Sequence, residues 1–396
     1  MNVANDAGVL LLRFPLGVVH GYNRTRSEMI VDVRLDFSLR TYYPTHPSNM
    51  TLGSTNHSAD SSADASSGSP ANLPPVDGKA TEARFHEAYE TSRLLRENIE
   101  KVVLGKPEVV RLIVLCLLAG EHLLLEDVPG VGKTLAAKAM AQSIKGRFSR
   151  LQFTPDLLPS DITGSMIYRS DTREFEFSRG PIFANIILAD EINRAPPRTQ
   201  SALLEAMSER QVSIDGQAHT LPDPFIVVAT QNPFEFEGTY ALPESQLDRF
   251  LLRTSIGYPN IEIERQVMST HRTGEPVDQL VSVVSVETVH NAQETVRLVK
   301  FDESLVEYLL NIVHKTREFD GFRVGVSTRA ALSFYRGCQA CAITNGRDYV
   351  TPDDIKLLVV PALSHRVLPE GFFQGATRMA VEQQVTDLLQ EVPVPI

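Results

Sequence analysis

Four short apolar runs recur along the middle of the chain, at residues 122–125, 186–189, 225–229 and 251–256, with helical stretches between them. Runs that do not alternate apolar with polar residues must be covered on both faces when they form strands. Strands separated by helices pair in parallel through crossovers, so the sequence predicts an α/β fold, a parallel sheet with helices on both sides. Two helices, at 81–103 and 108–118, precede the first run, the second opening after Pro107 as a first helical turn favours. After Pro259 the apolar runs stop, and segments 261–271, 304–316, 328–343 and 353–360 all carry helical periodicity. The expected division is an αβα domain over residues 81–258 and an all-α domain over 259–396.

Residues 1–80 are of a different kind. Positions 51–70 hold seven serines, two aspartates and almost no large apolar side chain, so burial cannot offset the entropy of ordering. They are expected to form a largely disordered extension. Strand-like alternation at 29–35 has no recognisable partner, and Met50 offers an alternative start for the chain. Asn23, Asn49 and Asn56 match the glycosylation acceptor pattern without a secretory signal before them. A formal net charge of −11 counts against nucleic-acid binding through the general field of the molecule. Three cysteines, Cys116, Cys338 and Cys341, are an odd number in a long chain, which argues against a disulfide scaffold and for a reducing, cytoplasmic setting. The longest apolar run, 112–120, falls far short of the ~20 residues that span a bilayer.

The first strand runs into EDVPGVGKT at 126–134 and then into a helix from Leu135 to about Ser143. Strand, glycine-containing loop and helix in this order are the context of a phosphate-binding loop. Gly130 and Gly132 let backbone N–H groups curl around phosphate oxygens, and the helix N-terminus adds partial positive charge. The cradle would comprise Asp127, Val128, Pro129, Gly130, Val131, Gly132, Lys133 and Thr134. Lys133 would reach the β- and γ-phosphates of a nucleotide, and the Thr134 hydroxyl would ligate magnesium. Position 127 departs from the strict pattern, which has glycine there.

The second apolar run ends in Asp190 and Glu191, 57 residues beyond Lys133. Ligands of parallel sheets sit at the carboxyl ends of strands, so both carboxylates should face the crevice of the loop. Asp190 would hold the magnesium and Glu191 would polarise the attacking water as general base. Outside this context the pair reads as a solvated, acidic helix start. Asn232, at the end of the third run, is placed to orient that water or sense the γ-phosphate; otherwise it is a turn residue before Pro233. Arg249 is either a surface arginine paired with Asp248 or a finger reaching a neighbouring subunit's phosphate. Arg329 lies in a helix that Ser327 would cap, and either folds back to the phosphates or stays on the helix surface. Cys338 and Cys341 have the spacing of a metal or redox pair, but they fall inside a helix among Leu332, Tyr335 and Ala342, which favours core packing.

Taken together and in order, EDVPGVGKT (126–134), ADEINRAP (189–196), ATQNP (229–233), LPESQLDRF (242–250) and GRDYVTPDD (346–354) resemble the MoxR family of AAA+ ATPases over about residues 81–370. The resemblance implies a P-loop AAA+ core followed by a helical lid domain, with ATP and Mg2+ bound. It implies that Asn232 is the first sensor, Arg249 the arginine finger and Arg329 the second sensor, and that Val103 and Gly105 line the adenine pocket. The family's phosphate loop often carries an aspartate where Asp127 stands. Segments 166–169 and 174–177 flank a polar turn, and 211–214 and 217–220 flank Asp215 and Gly216, a strong hairpin signal. These resemble the two hairpins that face the pore of related hexameric rings. Family members are chaperone-like motors that help assemble or metallate protein complexes, often with a partner carrying a von Willebrand type A domain. The expected function is therefore ATP-driven remodelling of a protein client by a homo-oligomeric ring. A nucleic-acid remodelling motor, a magnesium-chelatase-like ATPase subunit and a non-hydrolysing nucleotide switch are the alternatives. The charge balance counts against the first, and the presence of Glu191 and Asn232 against the last.

Overall fold

The computed structural model describes residues 78–233, 238–270, 272, 274–370 and 378–395. The serine-rich tract, the alternation at 29–35 and the alternative start at Met50 lie outside the described residues.

Helices α1 (Gly78–Glu100) and α2 (Pro107–Ala119) come first. Pro107 lacks an N–H that the first helical turn would leave unpaired anyway, and Gly120, at φ 69°, closes α2 in the left-handed conformation. Then follow β1 (His122–Glu126), the glycine loop, α3 (Lys133–Ser143), β2 (Ile144–Lys145), β3 (Phe148–Gln152) and α4 (Pro159–Thr163). A hairpin of β4 (Gly164–Arg169) and β5 (Glu174–Arg179) precedes β6 (Ile186–Asp190) and α5 (Pro197–Glu209). A second hairpin, β7 (Gln211–Ile214) and β8 (Gln217–Thr220), leads to β9 (Ile226–Gln231), α6 (Glu244–Leu247) and β10 (Phe250–Thr254). The remainder is mostly helical: α7 (Ile261–Thr270), β11 (Val284–Ser285), α8 (Val286–Val296), α9 (Glu303–Glu318) and β12 (Phe322–Val324). It ends with α10 (Thr328–Thr344), α11 (Pro352–Leu363), β13 (Leu368–Pro369) and α12 (Arg378–Glu391).

One parallel sheet has the order β10-β1-β9-β6-β3. Its four apolar strands are the four runs of the sequence. The fifth, β3, escapes sequence reading because FSRLQ buries only Leu151 and gives no apolar run. Strands also do not stop at Pro259: β11 pairs with β2 and β12 with β13, in contacts too short to leave a pattern.

Successive strand residues face opposite layers. Leu123, Leu125, Leu188 and Val228 belong to one apolar cluster, while Leu124, Ile187, Ala189 and Val227 belong to the other. The first cluster takes in α1, α2 and α3 and also Val289, Leu309, Phe334, Leu358 and Val385 of the later helices. Each such aliphatic side chain, fully buried, contributes about 1.5–3 kcal/mol. Cys338 and Cys341 lie in this cluster with no accessible surface, and burial raises both thiols, Cys341 to about 12. Among the described residues no helix is long and apolar enough to cross a membrane.

Both expected hairpins form. Asp215 (φ 48°) and Gly216 (φ 78°) make the turn of the second, the two positive values a tight two-residue hairpin needs. In the first, Tyr168 pairs with Phe175, rings 5.3 Å apart and both more than half exposed. The hairpins meet where Phe177 stacks on His219, with centroids 4.2 Å apart.

Candidate functional site

The glycine loop opens at the carboxyl end of β1. Gly130 and Gly132 hold φ values of 82° and 95°, which a side chain would oppose. A Cβ on Gly130 would meet nothing within 4 Å, so backbone conformation, not space, requires glycine there. Lys133 folds over the loop: its Nζ donates to the Asp127 carbonyl, to the Val128 carbonyl at 3.1 Å and to the Gln231 carbonyl at 3.4 Å. Asp127 is not a loose substitute for glycine. Its Oδ1 accepts the Val128 amide at 2.8 Å and its Oδ2 the Gly257 amide at 2.6 Å.

That second bond fixes the linker after β10 beside the loop. The linker in turn meets the turn between α1 and α2. Lys106 donates to the Tyr258 carbonyl at 2.9 Å, and a Cβ on Gly105 would lie 2.8 Å from Ile263. Val103 is buried behind it. Gly105 and the loop therefore both adjoin the segment after β10, beside which the resemblance puts a base and its phosphates.

The carboxylates arrive from β6. Thr134 donates to Asp190 Oδ2 at 3.1 Å, so the helix start and the acidic strand end are in contact. Asp190 is buried, and its Oδ1 accepts from Thr230 at 2.6 Å. The same Thr230 oxygen accepts the Glu191 amide at 2.9 Å. Glu191 sits at φ 57°, ψ 49°, a left-handed conformation unfavourable by about 1–2 kcal/mol for a residue with a side chain. Such residues gather at functional sites. Its carboxylate receives Gln152 at 2.8 Å and Arg194 at 3.1 Å. Arg150 binds Asp190 Oδ2 at 2.6 Å. Asn232 is buried one residue past β9, its carbonyl accepting from Asn193 at 3.3 Å.

Thr230, Arg150 and Gln152 are not among the sequence candidates. Thr230 was open to inference, as a hydroxyl ending an apolar strand beside the acidic one. Arg150 and Gln152 were not, because the strand that carries them is itself hidden.

Arg249 and Arg329 lie elsewhere. Arg249 precedes β10, and the strands are parallel, so it sits at the amino edge of the sheet while the loop sits at the carboxyl edge. Five residues of β1 separate the two edges, about 15 Å at the usual rise per residue. Both arginines line a cavity of about 180 Å³, together with Glu121, Arg210, Asp248 and Arg336. Arg249 Nη1 donates to the Leu204 carbonyl at 2.6 Å and to the Ser208 hydroxyl. Burial, and then the charge of Arg329, lower its pKa. The pairing of Arg249 with Asp248 is not formed. The Asp248 carboxylate instead accepts Ser327 at 2.9 Å and lies 3.6 Å from Arg366. Arg329 is thus brought together with Arg249 and not with the phosphate loop of its own chain.

Residues 122–252 match the family described as ATPase family associated with various cellular activities, and residues 314–387 match the AAA lid domain. A parallel sheet with a phosphate loop on one strand, an acidic pair on another and this lid behind it defines an AAA+ ATPase. The chain is 48% identical over 302 residues to the uncharacterized protein YeaC of Bacillus subtilis, covering 76% of this chain and 93% of that one. It is 39% identical over 338 residues to the chaperone MoxR1 of Mycobacterium tuberculosis, covering 83% and 88%. The crystal structure of a Cytophaga hutchinsonii protein assigned as an ATPase superimposes with a TM-score of 0.73 at 37% identity, over 80% of this chain and 99% of that one. The chain belongs to the MoxR family of AAA+ ATPases.

Proposed function

We propose that the chain hydrolyses ATP with magnesium as one subunit of a homo-oligomeric ring, hexameric as in related motors. The ring acts as a chaperone-like machine on a protein client, with a von Willebrand type A protein as the kind of partner it would work with. In this reading residues 81–258 form the nucleotide-binding domain and 259–396 the lid. Lys133 exchanges the carbonyls it now holds for phosphate oxygens. Thr134 and Asp190 present a hydroxyl and a carboxylate 3.1 Å apart, hard oxygen donors of the kind magnesium takes. Magnesium held there would supply neutralising charge beside the β- and γ-phosphates. Glu191, turned into place by its left-handed backbone and the Thr230 bond, takes the proton of the attacking water, and Asn232 orients that water.

The observation that carries the ring is the placement of the arginines. Arg249 lies at the opposite edge of the sheet from the loop, and Arg329 of the lid lies beside it, an arrangement that favours action on a phosphate other than that of their own chain. A neighbouring chain that sets its amino edge against the loop completes the site, and both Arg249 and Arg329 then serve the neighbour.

Subunit mixing tests this. Arg249→Ala should bind ATP and lose about 10³-fold or more in hydrolysis, the span of an arginine finger. Lys133→Ala should not bind nucleotide. Mixed, the two should recover activity, because the Lys133→Ala subunit lends its intact arginines. No recovery at any mixing ratio would place Arg249 in its own subunit's chemistry and end the proposal.

A further inference from the structure

Arg366 follows α11 and is buried, its side chain 1% exposed. An arginine this far from water must be satisfied by what surrounds it. Nη2 donates to the Asp248 carbonyl at 3.1 Å and to the Phe250 carbonyl at 2.8 Å, the two residues on either side of Arg249. Nη1 donates to the Ala330 carbonyl at 3.1 Å, the residue after Arg329. The guanidinium is a rigid planar fork, so these bonds set the spacing between two segments that are remote in sequence. The Asp248 carboxylate adds a second tie, accepting the hydroxyl of Ser327, which also caps α10. The two arginines repel each other, and the link opposes that repulsion alongside the packing of α10 and α11 on β10.

We propose that Arg366 is a positioning residue that holds Arg249 and Arg329 at one fixed separation, so that both reach the same phosphate group. The proposal rests on the reading that these arginines complete a neighbour's site. Arg366 touches no substrate. Its effect runs through the backbone on which the two arginines are mounted.

The test uses the full-length chain and the mixing assay. Arg366→Lys keeps a buried cation near Asp248 but has no fork to bridge both segments. It should bind ATP as wild type does and lose about 10²-fold in kcat, the scale of an ångström-sized misplacement. Mixed with Lys133→Ala it should recover activity, and mixed with Arg249→Ala it should not, because both variants fail in the same part of the site. Asp248→Asn, a smaller change at a partly exposed carboxylate, should follow the same pattern with a smaller loss and carries the test if Arg366→Lys does not fold. A folded variant with full kcat overturns the clamp. So does a loss that Lys133→Ala subunits leave unrepaired while they do rescue Arg249→Ala. If Arg249→Ala is itself not rescued, the trans reading is what has failed.

Discussion

Asp127 and Gly257 are joined by a 2.6 Å hydrogen bond, backbone amide to carboxylate, from the first loop residue after β1 to the linker after β10. Together with the Val128 bond, it makes one carboxylate responsible for the shape of the phosphate loop and for the position of the segment facing Gly105.

Replacing Asp127 by alanine should therefore weaken ATP binding about tenfold, equal to about 1.4 kcal/mol and within the range for losing charge-assisted hydrogen bonds. Turnover at saturating ATP should change less, because Lys133, Asp190 and Glu191 keep their own partners. Asp127→Gly restores the strict loop pattern and should weaken binding equally. Titration with a fluorescent ATP analogue checks both, and an unchanged Kd in Asp127→Ala would refute the role.

Thr230 bonds Asp190 through its proton and Glu191 through its lone pair. Thr230→Val keeps the shape and removes both ties. The expected result is retained ATP binding with kcat down at least about tenfold. Glu191→Gln should do more, at least about 100-fold, as expected for a lost general base. Single-turnover hydrolysis separates the steps, and a Thr230→Val protein with normal kcat would make that hydroxyl merely structural.

Acid should destabilise the protein before its carboxylates titrate. His122 is fully buried and held between the Met207 carbonyl and the Val227 amide, and burial lowers its pKa to about 4. His365, bonded to the Phe250 carbonyl, is shifted the same way by burial. An unfolded histidine takes up its proton near pH 6.5, so between about pH 6.5 and 4 the unfolded state binds more protons than the folded one. Stability is then fully present above pH 6.5 and falls as the pH drops, by up to about 1.4 kcal/mol per pH unit for each histidine. Urea melts at pH 7 and pH 5 measure the slope. In His122→Gln the slope should be shallower, and an equal slope would discount His122.

What the sequence discloses depends on how local each signal is. The glycine loop, the apolar strands and the Asp190–Glu191 pair are contiguous and carry their own period or spacing, so they are legible without a structure. The Asp215–Gly216 turn is legible for the same reason, since both residue types answer one backbone demand. β3 is not, because an edge strand with one buried residue reads as loop. The bonds of Arg366 are also hidden, since they cross 36 and 116 residues to backbone carbonyls, which leave no trace in side-chain identity. The resemblance assigned Arg249 and Arg329 roles at a phosphate. The parallel direction of the sheet was already expected; what the sequence hides is that Arg329, 80 residues further on, lies beside Arg249.

The stack of Phe177 on His219 reduces two projecting hairpins to a single lever. One end of it is the exposed Tyr168–Phe175 tip. The other is β8, which leads into β9 and so to Thr230, the hydroxyl that touches both carboxylates. Tip and hydroxyl are thus linked through the stacked rings, β8 and β9, a route along which a displacement of the tip is expected to reach Thr230, with the Phe177–Phe183 contact, centroids 5.7 Å apart, as a second route. Phe177→Ala would disconnect the lever while leaving both turns intact. Hydrogen exchange should then quicken in the two hairpins to different extents, and uniform exchange in that variant would mean that the force travels another way.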